Sequence, residues 1–361
     1  MTEPLFFSSS PVFQVDGEDQ GELARDLLRL EVEETTDGLK TLQARFLAVG
    51  PIPGQESEGL MYLDGRILDF GKHLQVSIGP PEMQRIIFNG YISALEVEFR
   101  EGHEHEACIC AEDRLMDLRM VRRMKTYEET SDADIAEAIA REHGLTPAVE
   151  ADGPTYDRIQ QWNMSDLAFL RERGRLIQAE VWVDEDTLHF KTRGQREGTT
   201  LTLVRGADLI TARVYADLAH QRTHVRVSGF DAQSRETIDE AADVSAIQGE
   251  VSGGRTGPEV LHSAFGERVS HRVREVPLEA SEAADWARSE MLRRARSFVT
   301  VEGVTRGTPD LIVGSSIELL QIGAPFDGDG YYVTRIRHTY DLGQGHRTQF
   351  HAERPTLGDF V

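Results

Sequence analysis

Apolar residues recur at every second position in the first third of the chain, in Leu74, Val76 and Ile78 and again in Leu95, Val97 and Phe99. That period belongs to half-buried antiparallel strands, whose side chains alternate between a packed and a solvated face. Gly50-Pro51, Pro53-Gly54, Gly65, Gly71, Gly79-Pro80-Pro81 and Asn89-Gly90 punctuate the runs as turns, which predicts a meander or small barrel over residues 1–111. The acidic stretch from Glu18 to Asp37 is expected on the surface.

Near residue 112 the period changes. Ser131 with Asp134 opens a helix carrying Ile135, Ala136, Ile139 and Ala140, which Gly144 closes. A second helix starts at Ser165, puts Leu167, Ala168 and Leu170 on an apolar side, leaves Arg173 to solvent and ends near Ile177. Val181 and Val183, the turn Asp184-Glu185-Asp186, and Leu188 with Phe190 predict a hairpin, so residues 112–200 form an α/β unit. Strands return at Leu201–Val204 and at Val225 and Val227, then residues 236–280 are polar and irregular, with Gly253-Gly254 and Gly257-Pro258 as flexible connections. Within this 236–296 insertion, a third helix capped by Ser281 places Ala283, Trp286, Ala287, Met291 and Ala295 on one side and ends near Ser297. Ile317 and Leu319, then Val333, Ile336, His338 and Tyr340, restore the two-residue period, so 201–235 and 297–361 form a second β unit.

The two strand-rich ends resemble each other. Gly71 precedes Leu74-x-Val76-x-Ile78-Gly79 as Gly314 precedes Ile317-x-Leu319-x3-Gly323, and after a loop Tyr91 corresponds to Tyr332. A duplication of this kind predicts that a trimer would present six quasi-equivalent β units around a ring.

Composition changes this picture little. The chain has 361 residues, 39% hydrophobic and 28% charged, which suits a soluble protein of several domains. Its net charge of −23 disfavours nucleic acid and anionic membranes as partners. Cys108 and Cys110 are too close for a disulfide scaffold, Met1-Thr2-Glu3-Pro4 does not begin a secretory signal, and no apolar run reaches transmembrane length. Synthesis and folding in the cytoplasm are expected.

Candidate chemistry is sparse. His103, His105, Cys108 and Cys110 have the wrong spacing for structural zinc, and the two histidines are expected at a solvated strand end beside Glu101. Metalloprotease, hydrolase-elbow and phosphate-loop motifs are absent, and Gly328-x-Gly330 and Gly343-x-Gly345 are expected as hairpin turns. Glu96, Glu98, Glu104 and Glu106 are spaced like the outward face of a strand, not like a glycosidase acid/base pair. No catalytic, cofactor-binding or metal residue is assigned.

Several segments nevertheless form a pattern: Gly90-Tyr91-Ile92, Ala111–Leu118, Ser131–Ile135, Glu142-His143-Gly144-Leu145, Gln160–Arg173 and Leu188-His189-Phe190. Gly303-x3-Gly307-x-Pro309-x-Leu311-x2-Gly314 and the terminal Tyr332–Tyr340 and Thr348-x-Phe350 extend it over nearly the whole chain. The pattern resembles the late control protein D family of contractile-tailed phages, which includes the first part of VgrG-type spike proteins. The resemblance implies two related tube-like antiparallel β-barrels with an α/β domain between them and a smaller insertion in the second. It further implies a non-enzymatic baseplate hub, a homotrimeric ring with a channel that docks the hexameric inner tube on one side and a spike on the other, incorporated in the tail or injection particle. VgrG-type members continue beyond the segment matching His351–Pro355, whereas this chain stops at Val361, so a separate spike protein is expected. A tail-associated peptidoglycan hydrolase and a tail-assembly chaperone are the competing readings; the first needs a paired carboxylate in a cleft, the second needs absence from mature particles.

Overall fold

The computed structural model describes residues 10–51, 58–80, 84–231, 234–272, 277 and 279–359. Pro53, Gly54, Pro81 and the amino-terminal Met1–Pro4 lie outside the described residues.

The alternating runs are strands. In the first unit β1 (Val12–Val15), β2 (Leu27–Thr35), β3 (Thr41–Leu47), β4 (His73–Ile78), β5 (Arg85–Glu98) and β6 (Glu106–Glu112) pair antiparallel in the order β2-β3-β6-β5-β4-β1, with helix α1 (Gly21–Asp26) between the first two in sequence. Phe13 of β1 and Phe46 of β3 meet with ring centroids 5.5 Å apart, although three strands separate β1 from β3 in the ladder. The sheet therefore curls around its own apolar face, where Leu30, Val32, Val76, Phe88 and Ile109 are also buried. Each such side chain contributes roughly 1.5–3 kcal/mol on burial.

The middle unit runs α2 (Leu115–Met120), β7 (Arg122–Ser131), α3 (Asp132–Glu142), β8 (Thr146–Glu150), β9 (Thr155–Ser165), α4 (Asp166–Ile177), β10 (Ala179–Asp184) and β11 (Thr187–Thr192). Ser131 and Asp134 form the expected reciprocal cap of α3, and Gly144 follows it at φ 67°. Ser165 caps α4 by accepting from Ala168 N at 3.2 Å, and β10 and β11 are the expected hairpin, joined in parallel by β8.

The remainder comprises β12 (Thr200–Val204), β13 (Leu209–Ala216), β14 (His224–Asp231), β15 (Glu236–Ala242), α5 (Gly257–Phe265), β16 (Val269–Arg272), α6 (Ala280–Arg296), β17 (Val299–Thr305), β18 (Ser316–Leu320), β19 (Gly328–Asp341) and β20 (Gly345–Arg354). Six of these strands take the order β13-β17-β20-β19-β18-β12, and β19 also pairs with β2, which fuses both ladders; with the two-residue strand Glu18–Asp19 beside β1 they make one 13-stranded sheet.

The two ladders correspond bond for bond over most of their length. Gly71 N–H donates to Ile92 O and Gly314 N–H to Val333 O, both at 2.9 Å. Tyr91 lies opposite His73 as Tyr332 lies opposite Ser316, and Gly79 and Gly323 both have φ 130°. Two register shifts coincide as well: Ile92/Ala94 in β5 matches Val333/Arg335 in β19, and Leu27/Arg29 in β2 matches Leu209/Thr211 in β13. The copies differ in two places: the β4–β5 shift falls at Val76/Ser77 but the β18–β19 shift at Ile317/Leu319, one step earlier, and β1 pairs antiparallel with β4 whereas β12 pairs parallel with β18.

Several local expectations are corrected. The acidic stretch after Glu18 includes β2, a strand with partners on both sides whose Leu30 and Val32 are buried. Asn89-Gly90 lies inside β5 and not in a turn; a Cβ on Gly90 would stand 2.2 Å from Glu112 O, so close backbone approach explains the glycine. Gly50-Pro51 belongs to a short strand, Val49–Pro51. Residues 99–105 leave the strand, so Glu101, His103, Glu104 and His105 sit in the β5–β6 connection. Gly328 and Gly330 open β19 at φ 112° and 82° instead of making a hairpin turn, whereas Gly343 does lie in the β19–β20 turn, held by Asp341.

The 236–280 stretch is more ordered than its polarity suggests. Gly257-Pro258 begins α5, with proline in the first turn and Thr256 and Glu259 forming a reciprocal cap. Val225 and Val227 belong to β14, which pairs with β15 and β16 and with no strand of the large sheet. Helix α6 begins before Ser281, with Glu279 at the cap position; Ala283, Trp286, Ala287, Met291 and Ala295 are buried as expected.

Candidate functional site

Charged side chains converge where the α/β unit meets both halves of the sheet. Glu34 at the end of β2 pairs with Lys40 at 2.9 Å and accepts from Arg196 at 2.7 Å. Arg196 also reaches Glu180 of β10 at 3.1 Å and lies over the Trp182 ring, 4.1 Å from its centroid. Tyr332 of β19 donates to Glu180 at 2.9 Å, and Arg193 covers the Tyr332 ring while pairing with Glu353 of β20. Burial alone would raise the Glu34 carboxyl, but Lys40 and Arg196 hold it below the usual range. Every carboxylate here has a cationic partner, the condition under which buried charge is tolerated.

The segments that carried the sequence resemblance bond to one another. His143, after α3, approaches the Asp166 carboxylate at 2.8 Å, Gln161 donates to the same residue at 2.8 Å, and Arg123 pairs with it at 3.0 Å. Arg173 is not solvent-exposed: its Nε donates to Asp132 at 2.6 Å, its guanidinium lies over the Tyr156 ring, and Tyr156 donates to Asp132 at 3.1 Å. Helix periodicity alone placed Arg173 on the polar side; the cause of its burial is β9, a strand lacking an apolar alternation strong enough to be read in advance. Asp113 accepts from the backbone N–H groups of Lys40 at 2.7 Å and Leu115 at 2.9 Å, and burial pushes its carboxyl up to about 7. These motif residues hold strand ends, helix starts and turns together.

Glu98 and Glu106 both pair with Arg45, at 2.6 and 3.3 Å. Cys108 is buried and Cys110 half-buried, neither in a disulfide, and burial raises both thiols. No group of three His, Cys, Asp or Glu residues is placed to hold a metal ion among the described residues. His338 and His346 approach at 3.3 Å inside the second β unit; burial lowers both, His346 to about 4, and His338 bonds Thr348 at 3.1 Å. An open groove of about 550 Å3 beside β13 is lined by Arg213, Glu302, Arg335 and Arg337 among others, a polar surface with no enclosed floor. No helix among the described residues is long and apolar enough to cross a membrane.

The fold, a curled and duplicated sheet with an α/β unit between its halves in the chain, is shared with solved tail proteins. The structure superposes on a 43 kDa tail protein of prophage MuSo2 from Shewanella oneidensis with a TM-score of 0.69 at 14% identity, covering 96% of this chain and 98% of that one. It superposes on a tail protein from Neisseria meningitidis with a TM-score of 0.67 at 12% identity, over 96% and 97% of the two chains. A type VI secretion component of Escherichia coli, itself described as similar to T4 bacteriophage tail proteins, matches with a TM-score of 0.57 at 13% identity, over 93% and 76%. In sequence, residues 56–341 match the family described as the Alg8 N-terminal domain, and the chain belongs to that family. No curated protein matches it in sequence.

Proposed function

We propose that this chain is the structural hub of a contractile phage tail or phage-tail-like injection system, in which three copies form a ring that adapts the hexameric inner tube to a trimeric spike. The observation that carries this reading is the duplicated ladder: two six-stranded units with coincident hydrogen bonds and bulges make one chain a quasi-two-fold unit, so three chains supply six similar faces toward a tube and three toward a spike. The fold shared with tail proteins supports the same reading. Each β unit closes as a tube-like barrel in this assembly, with the units taken as 1–111, 112–200, 201–235 with 297–361, and the insertion 236–296. As a hub of the late control protein D type, the chain binds the inner tube protein, a separate spike protein and other baseplate components.

The hub needs no catalytic group, and its buried ion pairs serve to fix the α/β unit against both ladders. Quantitative mass spectrometry of purified particles tests the proposal: three chains per particle is the expected result. Absence from mature particles would transfer the reading to an assembly chaperone, and turnover of peptidoglycan by the purified chain would transfer it to a hydrolase.

A further inference from the structure

The outer face of the two-stranded ribbon β7–β9 carries apolar side chains that nothing among the described residues covers. Its inner face packs on the α/β unit, where Tyr127 of β7 stacks on Phe169 of α4 and Ile159 of β9 is buried. Side chains opposite one another across a ladder share a face, and Met124 of β7 lies opposite Trp162 of β9. Both point away from that core: Met124 is 75% exposed and Trp162 63%, while Met120 and Val121, which join α2 to β7, are 68% and 58% exposed.

A bulge holds this arrangement. Arg123 lies opposite Met164 and Met124 opposite Trp162, so Asn163, at φ 47°, has no partner across the ladder. The extra residue lets Gln161 and Met164 both reach the core while Trp162 stays outside, its indole N–H held by Gln160 at 2.8 Å. Tryptophan and methionine are enriched at the centres of protein interfaces, where a rigid ring and an adaptable thioether fill a partner's surface, and a cluster of them left in water marks a contact site.

Charge identifies the kind of partner. Residues 119–125 hold three arginines, one lysine and no acidic residue, in a chain of net charge −23. Three of these cations are matched within the chain: Arg119 by Glu112, Arg123 by Glu142 at 2.7 Å and Asp166 at 3.0 Å, and Lys125 by Glu142. Arg122 donates to Asn163 O at 3.1 Å and has no carboxylate partner among the described residues. It stands two positions before Met124 and so on the same face. The complement of an apolar centre bordered by a free cation is an apolar segment bordered by a carboxylate. Two such faces packed on each other would bury two cations and no anion, which is unfavourable, and the overall charge disfavours an anionic membrane.

We infer that the outer face of β7–β9 is a docking site for an apolar segment of another protein that carries an acidic residue beside its apolar ones, with Trp162 and Met124 as the anchor and Arg122 as the ion partner. The hub reading assigns the α/β unit no contact outside the chain, and this docking site stands whether or not three copies form a ring.

The test is selection from a library of random dodecapeptides displayed on messenger RNA, with the full chain as bait and the Trp162→Ala/Arg122→Glu chain for counter-selection. Enriched peptides should carry aspartate or glutamate beside leucine, isoleucine, phenylalanine or tryptophan. A labelled peptide of this kind, followed by fluorescence anisotropy, should bind at least about tenfold more weakly to Trp162→Ala and to Arg122→Glu, with the thermal midpoints of both variants unchanged because both side chains are exposed. Changing the peptide's acidic residue to lysine should restore binding to Arg122→Glu. No enrichment, enrichment of peptides without an acidic residue, or equal binding by the variants would overturn the inference. Uptake of the chain by phosphatidylglycerol vesicles through Trp162, with no peptide bound, would overturn it in favour of a membrane-facing surface. Peptides that bind the monomer and are excluded from the assembled chain would overturn it in favour of a second copy as occupant, while light scattering reads the ring separately.

Discussion

Arg196 donates to Glu34 at 2.7 Å while its other terminal nitrogen reaches Glu180 at 3.1 Å, so one guanidinium bonds the segment leaving the α/β unit to the strand on which the two ladders meet. Removing one partner from such a buried network strands the others. Arg196→Met should lower the free energy of unfolding by about 3–5 kcal/mol, measured by urea denaturation. The Arg196→Met/Glu34→Gln double variant should lose less than the sum of the single losses, because the two residues share one interaction.

Arg173 and Asp132 provide a second buried pair, inside the α/β unit and remote from the ladder. Arg173→Met should make residues 112–200 the first region cut in limited proteolysis, with a loss of about 3 kcal/mol. Cleavage beginning in β5 or β19 would contradict that assignment.

The histidine pair predicts an acid limb. His338 and His346 are lowered by burial, so between the ordinary histidine value and about 4 the unfolded chain binds more protons than the folded one. Their contribution is fully present above about pH 6.5 and is lost as pH falls through this window, by up to about 3 kcal/mol for His346. Replacing both with glutamine should flatten this part of the stability profile. Asp113, raised to about 7, acts in the opposite sense, losing its contribution as pH rises, and Asp113→Asn should steepen the acid limb.

Gly90 and Gly194 make a paired prediction about backbone approach. A Cβ at Gly90 would stand 2.2 Å from Glu112 O, whereas one at Gly194 would meet nothing within 4 Å. Gly90→Ala should lower the thermal midpoint clearly and Gly194→Ala should change stability by no more than about 0.5 kcal/mol, read by calorimetry.

Much of this fold was legible because a two-residue period survives wherever one face of a strand is buried, as in Leu74, Val76 and Ile78. The α3 and α4 caps were equally plain, since Ser131 and Ser165 precede apolar turns. Strands β7 and β9 were not legible, because charged and polar side chains interrupt their alternation. Helix α5 has a readable signal in Thr256 and Glu259, three residues apart, but Gly257-Pro258 reads equally as a flexible connection; proline in the first helical turn costs no hydrogen bond. Long-range partners such as Asp132 for Arg173 and Glu34 for Arg196 depend on packing between units, which no local window contains. The duplication could be seen in two short runs, but its coincident bulges required the pairing register.

The most direct test of the hub account is the mass of the purified full chain in solution, by light scattering across a concentration series, followed by electron microscopy of the assembled species. The account predicts a particle of three times the 40.4 kDa chain mass, seen end-on as a closed ring with six similar lobes around a channel. A chain that remains at 40.4 kDa throughout, or a closed two-fold dimer, would contradict it.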